Sequence, residues 1–92
     1  MSRVAAISDK AITQEVGGET VILDLGSEQY FSLDAVGTRV WQLLKSGASE
    51  DVVIETLLGE YEVDAVTLGQ DVSHLIAALA EAGLISLVEP SG

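Results

Sequence analysis

The stretch VILDLGSEQYFSLDAVGTRVWQLL, residues 21–44, decides the fold. It runs from an apolar strand through a tight turn into a second strand, and then with almost no linker into a helix. Val21, Leu23 and Leu25 alternate with Ile22 and Asp24, which is the period-two signal of a strand with one buried face. Gly26-Ser27-Glu28 supplies the turn, with Gly26 available for positive φ. Gln29, Tyr30, Phe31, Ser32 and Leu33 return as a strand whose composition suits a pleated surface. Phe31 and Leu33 share one face of it, Tyr30 and Ser32 the other. Asp34 stands where a side chain accepts from the first free amides of a helix. Val36, Val40, Leu43 and Leu44 follow at helical spacing with Trp41 beside them, and Ser46-Gly47 fits a left-handed helix stop.

Working outward toward the N-terminus, Ala11 to Val16 reads as a first strand in which Ile12 is expected to be buried. Gly17-Gly18 is a hairpin signal leading into residues 20–25. Two hairpins in series make a three-stranded antiparallel meander in chain order. Its two edges, Ala11 to Val16 and Gln29 to Leu33, carry backbone groups open to further pairing. Residues 1–10 are polar and unpatterned and are expected to form a flexible arm.

Toward the C-terminus, Ser49 caps a second helix with Glu50 and Asp51 in its first turn, where negative charge suits the helix dipole. Val52, Val53, Leu57 and Leu58, with Ile54, form its apolar stripe, and residues 59–61 end it. Tyr61-Glu62-Val63 is a short extended connection whose Tyr61 and Val63 are expected to plug the core. A third helix starts either at Asp64 or at Thr67, which with Gln70 resembles a capping box. Leu68, Val72, Leu75, Ile76 and Leu79 make the longest regular apolar face in the chain. Gly83 closes that helix, and residues 84–88 form an apolar tail before Pro90. The fold class expected is α+β: a winged-helix-like arrangement with an N-terminal three-stranded antiparallel sheet followed by three helices. The chain divides into the arm at 1–10, one domain over 11–88 and a C-terminal tail at 89–92.

Composition narrows the function. The chain has 92 residues, enough for one domain with a modest core, and no cysteine, so no disulfide, thiolate nucleophile or cysteine metal site can be built. No apolar run approaches the roughly 20 residues of a spanning helix, and the N-terminus lacks the apolar core of a secretory signal, so the cytoplasm is the expected compartment. Fifteen Asp and Glu stand against four Lys and Arg, a formal net charge of −11. Arg3, Lys10, Arg39 and Lys45 cannot form the basic stripe that neutralises phosphates, which argues against nucleic acid and against anionic membranes. Neutral or basic partners fit this charge; acidic surface that only keeps a small domain soluble fits it too.

The sequence contains no constellation that carries chemistry. His74 is the single histidine and has no companion at metal-ligand spacing, so no metal site is expected. Glu50 and Asp51 are neighbours in sequence but do not face each other on a helix, and Glu60 and Glu62 flank Tyr61 on what reads as solvated surface. Ser27, Ser32 and Ser86 lie in no nucleophile motif, and the glycines fit neither a phosphate loop nor a dinucleotide fingerprint. Neither an enzyme nor a cofactor is expected. What remains is surface for another chain. The Gln29 to Leu33 edge carries Tyr30 and Phe31 and lacks the Lys or Pro that discourages edge pairing, so an extended peptide could add there as a strand. Equally, Tyr30 and Phe31 could fill the core and the chain's own ends cover the edge.

Taken in order, Gly18-Glu19, residues 21–25, residues 30–33, Val36-Gly37, residues 40–44, Tyr61-Glu62-Val63, Asp71-Val72 and Gly83-Leu84-Ile85 resemble the PqqD-like family. More narrowly, they resemble the stand-alone B1 proteins of lasso-peptide gene clusters, over about residues 11–88. The resemblance implies a winged-helix-like recognition element for ribosomally made peptides, a RiPP recognition element. A precursor leader peptide would bind as an added strand against the third strand, in the groove that strand makes with the third helix. The domain would then present the precursor to a maturation enzyme: a transglutaminase-like cysteine protease acting as leader peptidase in lasso systems, or a radical SAM enzyme for which a PqqD-type protein is the chaperone. Carried onto this chain, the implied peptide-binding residues are Gln29, Tyr30, Phe31, Ser32 and Leu33 on the strand and Val72, Leu75, Ile76 and Leu79 on the helix. Spacing does not divide these side chains between core and peptide. Two other uses of such a domain are a structural subunit pairing through its edge strand and a DNA-binding winged helix, the second opposed by the charge.

Overall fold

The structure, a computed structural model, describes residues 4–88. Its elements in chain order are β1 (Val4–Ile7), β2 (Ala11–Val16), β3 (Glu19–Asp24), β4 (Gln29–Leu33), α1 (Ala35–Lys45), α2 (Glu50–Glu60), α3 (Ala65–Glu81) and β5 (Ile85–Val88). β2, β3 and β4 form the antiparallel meander in the expected order, and β1 and β5 form a second, two-stranded antiparallel sheet. The architecture is α+β with three helices, as the sequence led us to expect.

Local chemistry explains most of the boundaries. Gly17 and Gly18 occupy left-handed φ values of 60° and 84° in the two-residue β2–β3 turn, as a tight hairpin requires. Asp34 caps α1 by accepting from the Gly37 amide, and Ser49 caps α2 by accepting from Val52. For α3 the choice falls on Asp64, whose carboxylate accepts from both the Thr67 amide and the Thr67 hydroxyl. Thr67 is thereby a helical residue rather than the cap. In the β3–β4 turn it is Glu28, at φ 58°, and not Gly26 that takes the left-handed position. The Asp24 carboxylate fixes that turn by accepting from the Gly26 amide at 3.0 Å and the Ser27 hydroxyl at 2.8 Å.

Residues 4–7 are a strand, where a loose arm was expected. Val4 to Ile7 pair with Val88 to Ile85, and the Ser8 amide donates to the Leu84 carbonyl. This partnership joins the two ends of the chain, so no local pattern announces it. Residues 1–3, the start of that expected arm, and the tail at 89–92 lie outside the described residues.

The sheet also presents the opposite face from the one expected. Thr20, Ile22 and Asp24 are the buried residues of β3, while Val21 is exposed and Leu23 half-buried. α1 lies against the Thr20–Ile22 side, and two polar groups there are satisfied. The Thr20 hydroxyl donates to Thr38 Oγ1 at 2.9 Å, and Asp24 is bonded within its own turn. Register then places Ile12, Leu23 and Tyr30 side by side on the outer face. Ile12 is 52% exposed, not buried.

The core lies between the meander and the helices. It gathers Ile22 and Leu33 from the sheet, Val40, Trp41 and Leu44 from α1, Val53 and Leu57 from α2, Leu68, Val72, Ile76 and Leu79 from α3, and Leu84 and Ile85. Val52 and Leu58, expected in the α2 stripe, are exposed. Only Val53 and Leu57, four residues apart, are fully buried there, with Ile54 packed beside them. A bidentate ion pair from Arg39 of α1 to Glu60, at 2.9 Å from Nε and 2.8 Å from Nη2, ties α1 to the last turn of α2. That pairing raises the Arg39 pKa and lowers that of Glu60, chiefly through their shared hydrogen bonds.

Candidate functional site

β4 is paired on one side only, to β3, so its other edge is open among the described residues. Beside the C-terminal end of that strand runs a cleft of about 550 Å³. One wall is the β4–α1 junction, with Ser32, Leu33, Asp34, Val36, Gly37 and Val40. The other is α3, with Thr67, Leu68, Asp71, Val72 and Leu75, and Val63, just before α3, also lines it. The sequence builds each wall by a distinct device.

The first wall depends on a close approach. A Cβ on Gly37 would stand 3.2 Å from both Leu33 Cβ and Asp34 Oδ1, so the missing side chain lets the first turn of α1 press onto the end of β4. The buried Thr20–Thr38 hydrogen bond pins the same turn to β3, and Thr38 also reaches toward the Leu33 carbonyl at 3.5 Å. The second wall is made by helical geometry. Leu68, Val72, Ile76 and Leu79 follow the core-facing stripe of α3, and Leu75 stands beside that stripe, half-buried, turned into the cleft. Asp64 anchors this helix, and the Thr67 backbone and side-chain hydrogen bonds hold its carboxyl below its ordinary pKa.

The expected binding residues thus divide. Ser32, Leu33, Val72 and Leu75 line the cleft. Ile76 and Leu79 are each 3% exposed and belong to the core. Gln29, Tyr30 and Phe31 lie along the open strand but outside the cleft. Tyr30 is 71% exposed on the outer face, and Phe31 is half-buried against the core. The expectation that Val63 plugs the core gives way to Val63 lining the cleft, 47% exposed; Tyr61 does pack on the core. Val36, Val40, Thr67, Leu68 and Asp71 also line the cleft and lie outside the expected binding set. The signal that could have found Val36 and Val40 is their four-residue spacing directly after the capping Asp34, which puts both on one face of α1. His74 is exposed and borders a separate shallow depression between α2 and α3 with Glu50 and Ser73, where the Ser73 hydroxyl donates to Glu50.

In chemical terms the cleft is an aliphatic slot beside an unpaired strand edge, with Ser32, Thr67 and two carboxylates at its rim. Such a site suits an extended chain that pairs by backbone and inserts side chains. The same frame is found in known proteins. Residues 19–85 match the family model for coenzyme PQQ synthesis protein D (PqqD), which spans β3 to the start of β5 and so both walls of the cleft. The chain belongs to the PqqD family.

Within solved structures, this PqqD-family chain resembles TbiB1 in complex with the TbiA(beta) leader peptide. The TM-score is 0.82 and the identity 36%, covering 87% of this chain and 93% of that one. It also resembles a lasso peptide synthetase B1 complexed with the leader peptide, at a TM-score of 0.81 and 26% identity over 89% and 96% of the two chains. No curated protein matches. The match to the B1 fold, an antiparallel sheet with three helices, agrees with the resemblance seen in the sequence.

Proposed function

We propose that this chain is a non-catalytic leader-peptide recognition protein. It captures the leader of a ribosomally synthesised precursor as a strand added to β4, and delivers the precursor to a processing enzyme, the leader peptidase of a lasso-peptide system. The observation that carries this reading is the cleft between the open end of β4 and α3, in a fold shared with two proteins solved with leader peptides. Backbone pairing along Gln29–Leu33 supplies affinity, and side chains on one face of the added strand enter the slot walled by Val36, Leu68, Val72 and Leu75. Delivery is a matter of effective concentration: a tethered precursor meets the peptidase locally rather than by bimolecular encounter. The cleft offers aliphatic walls and a capping carboxylate, which equip it to hold a peptide rather than transform it.

The test is a fluorescence-polarisation titration with two labelled peptides: the TbiA(beta) leader and the leader of the short precursor encoded nearest to this chain. Saturable binding at micromolar or tighter Kd, about 8 kcal/mol or more, is expected for at least one. Leu75→Asp, which puts a charge into the slot at a half-buried position on the margin of the core, should abolish it, with circular dichroism checking that the variant is folded. Binding unchanged in a folded Leu75→Asp variant would exclude this cleft. No binding of either peptide, with a dimer seen by light scattering, would favour the alternative that the β4 edge pairs subunits.

A further inference from the structure

Among the described residues, both charged residues that line the cleft are acidic, and only one is engaged. Asp34 gives its Oδ1 to the Gly37 amide at 2.8 Å as the cap of α1. Asp71, on the opposite wall, is exposed and has no hydrogen-bond or ion-pair partner among the described residues. It lies one helical turn from Thr67 and one from Leu75, which also line the cleft, so its position on that face of α3 is fixed by helix geometry. Among the described residues no Lys or Arg lines the cleft. Among the described cations, Arg39 is held by Glu60, Lys10 lies just before β2 and Lys45 ends α1.

A free carboxylate on the lip of an aliphatic slot loses part of its surrounding water once a peptide fills the slot. Its attraction for a facing cation and repulsion of a facing anion are stronger there than on open surface. The net charge of −11 reinforces the same preference at longer range. We propose that Asp71 makes the cleft selective for a peptide segment carrying Lys or Arg at the position that crosses α3. The inference rests on the peptide-capture reading above and specifies the chemistry of the captured segment. The apolar walls set which residues enter the slot; Asp71 sets the sign of the charge beside them.

The test is a display selection from random 12-residue peptides against the full chain, run in parallel on the wild type, Asp71→Lys and Asp71→Asn. Asp71 is exposed on a helix, and circular dichroism confirms that each variant is folded before selection. All three should enrich the same apolar positions. At one fixed spacing from them the wild type should enrich Lys or Arg, Asp71→Lys should enrich Asp or Glu, and Asp71→Asn neither. Replacing the basic residue of a selected peptide by Glu should weaken wild-type binding by about threefold to tenfold, with the loss shrinking at high salt and reversing on Asp71→Lys. The same residue type enriched at that position in all three would overturn the role of Asp71 and leave peptide capture standing. No enrichment by the wild type would overturn both.

Discussion

Glu28 is the residue at which local chemistry and local conformation disagree. It holds a left-handed φ of 58° in the β3–β4 turn while its amide donates to the Asp24 carbonyl at 2.7 Å. A side chain in that region costs about 1–2 kcal/mol, and a glycine there would lose about 0.5–1 kcal/mol more backbone entropy on folding than a residue with a Cβ. The conformational relief is the larger of the two. Glu28→Gly is therefore expected to raise stability by about 0.5–1 kcal/mol, read as a higher urea midpoint at unchanged slope. A lower midpoint would mean that the Glu28 side chain contributes more than its backbone costs.

At the scale of elements, α3 serves the core and the cleft at once, and adjacent residues separate the two roles. Ile76 is buried at 3% exposure, so Ile76→Ala is expected to cost about 2–5 kcal/mol through lost burial and the cavity left behind. Leu75, half-buried at the cleft, has less to lose: Leu75→Ala should cost under about 1.5 kcal/mol in stability while weakening leader-peptide binding. Urea unfolding beside a peptide titration reads both quantities. Equal stability losses at the two positions would mean that Leu75 is a core residue. This division was hidden in the sequence because Leu75 and Ile76 are both apolar and lie within the same stripe. Which of the two turns inward depends on where α2 and β5 pack against α3. The sheet followed the same logic. The alternation in β3 was legible, but its direction was set by α1 covering Thr20 and Ile22, with Thr20 and Asp24 admitted to the interior by their hydrogen bonds.

At the scale of the whole molecule, electrostatics pulls stability in two directions. At pH 7 the net charge of −11 repels itself, so raising salt from low to moderate ionic strength should lift the thermal midpoint. Asp24, Glu60 and Asp64 act oppositely, because their hydrogen bonds, to Ser27, to Arg39 and to the Thr67 amide respectively, hold each carboxyl below its ordinary pKa. A folded pKa below the unfolded one gives stability that is complete above about pH 5 and is lost as the pH falls through the unfolded and then the folded value. Thermal melts at pH 7, 5 and 3 should then show a salt-sensitive midpoint at pH 7 and a falling midpoint below pH 4, with the acid limb shallower in Asp24→Asn. An acid limb unchanged by that substitution would remove Asp24 from the set. The sequence by itself determined the meander, the three helices with the caps of the first two, the acidic character and the kinship to leader-binding proteins, because turns, caps and periodicity are encoded within a few residues of where they act. Only the tertiary structure decided the β1–β5 pairing, the inward face of β3 and the separation of Leu75 from Ile76 and Leu79. Each of these depends on which distant element comes to rest against a given surface, and burial is settled by that contact rather than by the residue's own hydrophobicity.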